Sequence, residues 1–105
     1  MEFRFVYITA RSQAEARKIG TALVEERLAA CANIIPGMRS IYRWESKIEE
    51  AEETVLIAKT SKARIPALME RVRALHSYDC SCVVSLAVDD GNPEYLDWLD
   101  AQTTP

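Results

Sequence analysis

The sequence has 105 residues, of which 49% are hydrophobic and 28% are charged. A chain of this length is one small domain, and this composition excludes a disordered or fibrous protein. Thirteen basic and sixteen acidic residues give a formal net charge of -3, which disfavours nucleic acid as the main partner. We therefore expect a single globular domain over residues 1–105.

The amino-terminal sequence MEFRFVYITARS has no basic stretch followed by a long apolar run. No segment approaches the roughly eighteen apolar residues that a membrane helix needs. These features predict a cytoplasmic protein with no membrane partner. In that compartment the three cysteines, an odd number, are expected to be reduced thiols and not a disulfide framework.

The first half of the chain predicts a strand, a helix and a long bent strand. Residues 3–10, FRFVYITA, alternate and are rich in β-branched and aromatic side chains, which is typical of a buried strand. Ser12, followed three residues later by a glutamate, forms a capping box, and the helix is expected to run to about Ala30. Residues 31–44 are apolar around Pro36-Gly37, which predicts a strand bent or bulged at that pair.

The second half predicts two more strands and two more helices. The polar stretch KIEEAEE is interpreted as a solvated hairpin end, and residues 53–60 that follow are apolar enough for a buried strand. Ser61 opens a helical segment in which Pro66 fits the first turn. Residues 82–88 predict a fourth strand, and Pro93 starts a short terminal helix.

This order of elements is typical of an α+β, ferredoxin-like βαββαβ sandwich with a long bent hairpin and a C-terminal helix. In that fold two helices cover one face of a four-stranded antiparallel sheet. The other face is then left without a helical cover. An uncovered face of an apolar sheet would be a large exposed apolar patch. Because such patches mark contact surfaces, we expect an oligomer.

One short stretch, HSYDCSC, holds His76, Cys80 and Cys82 close together in the sequence. If strand geometry begins near Cys80, the two cysteines project to the same face. Two thiolates there suit a soft ion such as Cu(I) or Zn(II), with imidazole as a third ligand. Alternatively, the cysteines are small buried hydrophobes and His76 is a helix C-terminal residue that interacts with the helix dipole.

Other functional interpretations have less support in the sequence. Cys31 could be a nucleophile only beside a base such as His76, and a packing role is the alternative. Phe3, Phe5 and Tyr7 could form an RNA-stacking platform, but core packing explains them better in an acidic chain. The sequence contains no nucleotide-binding, zinc-protease or serine-hydrolase motif, which favours a protein without enzymatic activity.

Four segments resemble the CutA divalent-cation tolerance family over nearly the whole chain. They are EERLAACANIIPGMRSIYRWESKIEE, IAKTS, VRALHSYD and GNPEYLDWL. The resemblance implies trimers that pair strands between subunits, and a link to tolerance of copper and other divalent cations. The leading hypothesis is therefore a non-enzymatic homotrimer that binds a metal ion and has no obligatory cofactor. A signalling or small-molecule module similar to the PII proteins, and an enzyme using Cys31 or His76, are the alternatives.

The resemblance also implies roles for individual residues. The family positions discussed as copper ligands correspond here to Cys31 and His76. Other matching positions line or border a cleft between subunits, and they are Tyr42, Trp44, Lys59 and Tyr78.

This chain departs from the family pattern after His76. The family usually has Leu-His-Pro-Tyr-Glu, an apolar residue and then Pro-Glu. Here the corresponding residues after the histidine, apart from the tyrosine, are Ser77, Asp79, Cys80, Ser81 and Cys82. The two additional thiols favour soft-metal binding.

Overall fold

The computed structural model describes residues 2–105. Its elements are β1 (Phe3–Ala10), α1 (Gln13–Glu25), β2 (Cys31–Trp44), β3 (Lys47–Ser61), a 3-10 turn (Lys62–Arg64), α2 (Ile65–Leu75), β4 (Val83–Val88) and α3 (Pro93–Gln102). The strands form one antiparallel sheet in the order β2-β3-β1-β4. This arrangement confirms the predicted α+β, ferredoxin-like fold. Within residues 2–105, no helix combines the length and apolar character required to cross a membrane.

The main core lies between the sheet and helices α1 and α2. Alternate residues of β1 and β3 point to this side, because strand side chains alternate between the two faces. They pack against residues that recur at helical spacing along α1 and α2. The fully buried members are Val6, Ile8, Ala10, Ala16, Ile19, Leu23, Leu56, Ala58, Leu68 and Val72. Burial of each large aliphatic side chain contributes about 1.5–3 kcal/mol, so this side holds the chain together.

The opposite side of the sheet is only partly covered. Phe3 is buried against Leu99 of α3, so this helix covers one end of the face. Farther along, Val84 and Leu86 of β4 are 50% and 51% exposed. The predicted face without a helical cover is therefore present over the part of the sheet that α3 does not reach.

Helix α1 is shorter than the sequence predicts. It ends at Glu25 and not near Ala30. Arg27 adopts a left-handed conformation with φ 59°, and the Leu28 N–H bonds back to the Leu23 carbonyl at 2.8 Å. This pattern satisfies free carbonyls and stops a helix. Leu28 is still buried, but from the loop that follows α1.

The bend in β2 is confirmed. The pairing with β3 shifts register between Ile35 and Met38. Gly37, inside this shift, has φ 79°, a conformation that glycine adopts without a Cβ clash. The extra residues on β2 therefore form a bulge, which changes the direction of the hairpin beyond it.

Strand β3 begins at Lys47, well before the predicted start at residue 53. The stretch KIEEAEE pairs with residues 38–44 of β2, so it extends the hairpin as strand. Glu45 and Ser46 both have positive φ and form a two-residue turn at the tip. The apolar alternation that marks a half-buried strand is missing here because most side chains of this part of the hairpin are exposed on both faces.

The connection between α2 and β4 contains the candidate ligand stretch. Pro66 lies in the first turn of α2, as predicted, and His76 is the C-cap residue. Strand β4 begins at Val83. The predicted fourth strand over residues 82–88 is therefore confirmed to within one residue, but Cys80 and Cys82 precede it, so the condition that strand geometry begins near Cys80 is not met.

Candidate functional site

His76 anchors the connection between α2 and β4 to the sheet. Its side chain is fully buried. The ring atom Nε2 lies 2.7 Å from the Thr9 carbonyl oxygen of β1, and Nδ1 accepts a hydrogen bond from the Tyr78 N–H at 3.0 Å. Because a carbonyl can only accept, Nε2 carries the ring proton. Both nitrogens of the imidazole are thus bonded within the protein.

Glu15, in the first turn of α1, holds the same connection from the other side. Its own N–H donates to the Ser12 hydroxyl at 3.1 Å, which confirms the predicted cap. Its carboxylate accepts from the backbone N–H of Arg11 at 3.1 Å and of Ser77 at 3.0 Å, and lies 3.9 Å from Nδ1 of His76. Burial acts to raise the pKa of Glu15, but the hydrogen bonds from Ser77 and Arg11 lower the pKa below its ordinary value.

Tyr78 and Glu53 connect this segment to β3. The Tyr78 hydroxyl donates to Oε2 of Glu53 at 2.8 Å. Burial and this hydrogen bond raise the pKa of Tyr78 to about 12, so its hydroxyl remains a donor at neutral pH. Glu53 is 9% exposed. The sequence analysis missed it because the acidic run was assigned to solvent, although it lies two residues before Val55 and so shares a strand face with an apolar side chain.

A cavity of about 390 Å³ opens beside these residues, on the side of the sheet away from α1 and α2. This size lies within the range of about 300–1,000 Å³ that is usual for ligand pockets. The lining residues are Thr9, Tyr42, Trp44, Glu53, Tyr78, Asp79, Cys80 and Cys82. A larger cavity, of about 580 Å³, lies near the carboxyl terminus and contains none of the predicted site residues.

The two cysteines of the connection have free, exposed thiols at this cavity. In this chain Cys80 and Cys82 are therefore not buried packing residues. Among residues 2–105, however, no group of three His, Cys, Asp or Glu side chains is placed to hold one metal ion. The described residues of one chain therefore supply fewer than three such ligands to a metal ion at the thiols.

Cys31 and Lys59 lie outside this cavity. They are opposite each other in the pairing of β2 with β3. Cys31 is half-buried, and its Sγ lies 3.7 Å from Oδ1 of Asn33. The Lys59 ammonium lies 5.7 Å from the ring centre of Tyr95 on α3. The structure thus brings together five of the eight predicted site residues, Tyr42, Trp44, Tyr78, Cys80 and Cys82, and leaves Cys31, Lys59 and His76 outside the cavity lining.

The fold and the cavity define a class of protein: a small α+β, ferredoxin-like protein with thiols, carboxylates and aromatic rings around one cleft. The family model for the CutA1 divalent ion tolerance protein matches residues 4–102. The chain therefore belongs to the CutA1 family, and the resemblance found in the sequence is confirmed.

Relatives from distant organisms support this assignment. The divalent-cation tolerance protein CutA of Thermus thermophilus is 52% identical over 98 residues, which cover 93% of this chain and 95% of that protein. The solved structure of the Thermus thermophilus protein has a TM-score of 0.95 and 50% identity, and the match covers 97% of this chain and 99% of that one. Sequence and fold therefore agree over almost the full length.

Other relatives differ in length and in named compartment. Protein CutA of Mus musculus is 44% identical over 97 residues, which cover 92% of this chain and 55% of that protein. The chain thus spans about half of the mouse protein. A structure from Archaeoglobus fulgidus, named a periplasmic divalent cation tolerance protein, has a TM-score of 0.95 and 40% identity over 97% of this chain and 99% of that one.

Proposed function

We propose that this protein binds copper or another divalent or soft metal ion in cation tolerance, as a non-enzymatic protein without an obligatory cofactor. The observation that carries the proposal is the pair of exposed thiols, Cys80 and Cys82, at one cavity. Thiolates select soft ions such as Cu(I). The family to which the chain belongs is described by divalent ion tolerance, which supports the same function.

In this proposal the thiols of Cys80 and Cys82 are the primary ligands of the metal ion. Asp79 lines the same cavity, but the described residues place no third such ligand with the two thiols. His76 and Cys31, which the resemblance implies as ligands, are less available to a metal ion at this cavity. The ring nitrogens of His76 are both hydrogen-bonded, and Cys31 lies outside the cavity lining. We therefore assign His76 to positioning the segment that carries the thiols.

The proposed assembly is a homotrimer, in which other copies of the chain cover the open side of the sheet. Val84 and Leu86 lie on that side, and Ile41 and Ile48 on the hairpin are 71% and 62% exposed. Strands β2 and β4 are the sheet edges and leave backbone groups for pairing. Light scattering should give three times the chain mass of 11.9 kDa. A monomer at micromolar concentration would contradict the assembly.

A Cu(I) titration of the reduced protein, against a competing chelator, tests the ligand assignment. Replacing both cysteines in C80S/C82S should lower the affinity by at least about tenfold, because two soft ligands are lost. The matched variant Cys31→Ser removes a thiol outside the cavity. If the double variant keeps the stoichiometry and affinity of the wild type, the thiol assignment is wrong. If Cys31→Ser alone loses binding, the site lies at the start of β2.

A small-molecule or signalling function is the second candidate, because Tyr42 and Trp44 add aromatic surface to a cavity of ligand size. Thermal-shift screening of metabolites and metal ions distinguishes the two functions, since a ligand that binds the folded protein raises its stability. A metabolite that stabilises the trimer more than any metal ion would place this function first.

We propose the cytoplasm as the compartment and neither nucleic acid nor a membrane as a partner. A reducing compartment keeps Cys31, Cys80 and Cys82 as thiols, and the net charge of -3 opposes binding to phosphates. Cell fractionation tests the compartment. Recovery in a periplasmic fraction, as the name of the Archaeoglobus fulgidus relative would suggest, would contradict it.

A further inference from the structure

The cavity of about 580 Å³ near the carboxyl terminus lies at the end of the sheet opposite to the hairpin tip. Its lining includes Ser61 at the end of β3, Arg64 and Pro66 around the start of α2, and Asp100 of α3. None of the exposed apolar residues assigned above to contacts between copies of the chain lines it. The assembly proposed above therefore does not depend on these residues, and the volume lies within the usual range for ligand pockets.

Most polar side chains of this lining already have partners within the protein. The Lys62 ammonium lies 3.3 Å from the Glu2 carboxylate. The Thr103 hydroxyl lies 3.1 Å from the Ser61 hydroxyl, and the Thr104 hydroxyl donates to a backbone carbonyl of α3 at 2.9 Å. Because these groups are engaged, a ligand rich in hydroxyl groups, such as a sugar, would find few partners here.

Two charged side chains of the lining, Arg64 and Asp100, are the exception. The Arg64 guanidinium donates from Nε to the Arg27 carbonyl at 3.3 Å, but within residues 2–105 neither Arg64 nor Asp100 forms a salt bridge. Both residues are half-buried. A partly buried charge without an ionic partner is costly. The cavity thus presents one unpaired charge of each sign, on two different elements of the fold.

We propose that this cavity binds a zwitterionic amino acid with an apolar side chain. The ligand carboxylate pairs with Arg64, whose terminal nitrogens can donate two parallel hydrogen bonds to it. The ligand ammonium group pairs with Asp100. Ala63 and Pro66 of the lining supply apolar surface for the side chain.

A ligand with charge of only one sign fits this cavity less well. A phosphate or another anion would meet the carboxylates of Glu2 and Asp100, and a metal ion would meet the cations of Lys62 and Arg64. A zwitterion compensates both unpaired charges at once. The inference is independent of the metal-binding and small-molecule functions proposed for the cavity at Cys80 and Cys82, because the two cavities share no lining residue.

The test is a calorimetric titration of the whole protein at pH 7 with L-leucine and with two analogues that each lack one charge. The analogue 4-methylpentanoate lacks the ammonium group, and 3-methylbutylamine lacks the carboxylate. Leucine should bind at least about tenfold more tightly than either analogue, because a hydrogen bond between charged groups contributes that much. Arg64→Gln should weaken leucine and 4-methylpentanoate about tenfold and leave 3-methylbutylamine unchanged. Asp100→Asn should weaken leucine and 3-methylbutylamine and leave 4-methylpentanoate unchanged.

The analogue whose affinity should not change is the internal control, because its binding shows that the cavity of the variant is intact. Lys18→Gln removes an exposed positive charge of α1 outside the cavity and should match the wild type for all three ligands. Absence of leucine binding, equal affinity of leucine and both analogues, or a loss in Lys18→Gln equal to that in Arg64→Gln would overturn the proposal. If Arg64→Gln loses all three ligands, Asp100→Asn decides. A selective loss of leucine and the amine then supports the proposal, and any other pattern overturns it.

Discussion

The two halves of the segment 76–82 differ in how the protein holds them. The first half, from His76 to Tyr78, is fixed by hydrogen bonds to Thr9, Glu15 and Glu53. In the second half Asp79, Cys80 and Cys82 line the cavity, and the two thiols are free and exposed. One short sequence therefore contains a segment fixed by hydrogen bonds, followed by side chains whose thiol and carboxylate groups are accessible at the cavity.

The difference shows that residues close together in the sequence can differ in whether their polar groups already have partners within the protein. The imidazole of His76 is engaged at both nitrogens, whereas the thiols four and six residues later face the cavity. Anchoring the first half fixes where the second half can place its thiols. The comparison predicts that substitutions in the first half change stability and that those in the second half change reactivity.

The largest expected effect is that of His76→Ala. It leaves the Thr9 carbonyl and the Tyr78 N–H without partners in a buried place and opens a cavity, which should cost about 3 kcal/mol of unfolding free energy. Urea unfolding at one fixed protein concentration measures it, because oligomer stability depends on concentration. The control C80S/C82S should stay within about 0.5 kcal/mol of wild type. Equal losses of unfolding free energy in the two variants would contradict the view that only the first half of the segment contributes to stability.

An intermediate effect is expected from Glu15→Gln, which removes the charge that accepts the Arg11 and Ser77 N–H groups. The variant should be about 1 kcal/mol less stable at pH 7. Because the pKa of Glu15 is lowered in the folded protein, its contribution is present above the ordinary pKa of 4.5 and is lost as the pH falls through the folded value. Unfolding curves from pH 7 to acid should therefore converge. The exposed Glu70→Gln serves as control, and a pH-independent difference would contradict the assignment.

Substitution of the thiols is expected to have the smallest effect on stability and the largest effect on thiol reactivity. Cys80 and Cys82 should react rapidly with an aromatic disulfide reagent in the native protein, and the half-buried Cys31 should react more slowly. C80S/C82S should remove the fast phase and leave one slow thiol. Denatured protein gives the total count of three. A single slow phase in the wild type would mean that the assembly buries the second half of the segment.

Local sequence signals predicted most of the fold because each depends on neighbouring residues. Alternation gave β1 its bounds, and the Ser12 cap marked the start of α1. The two exceptions have different causes. Arg27 ends α1 in a left-handed conformation, which the sequence pattern does not mark. The acidic part of β3 is strand only because it pairs with β2.

The site was predicted in part. The resemblance pointed to Tyr42, Trp44 and Tyr78, and the thiols were evident from the residue types alone. Glu53 was missed, since its neighbours are exposed glutamates and only the Tyr78 hydroxyl and the sheet around it make it a buried group. The two cysteines precede β4 and so do not share a strand face, yet both line the same cavity.

The sequence by itself determined the order of elements, the family and the three thiols, because periodicity, capping and residue type are properties of short segments. Only the tertiary structure decided which polar groups are hydrogen-bonded within the protein and which remain accessible at the cavity. In the sequence His76 is the single histidine and Glu53 is one of several glutamates in an acidic run. Folding brings the Thr9 carbonyl to His76 and the Tyr78 hydroxyl to Glu53, because these hydrogen-bond partners lie far away along the chain.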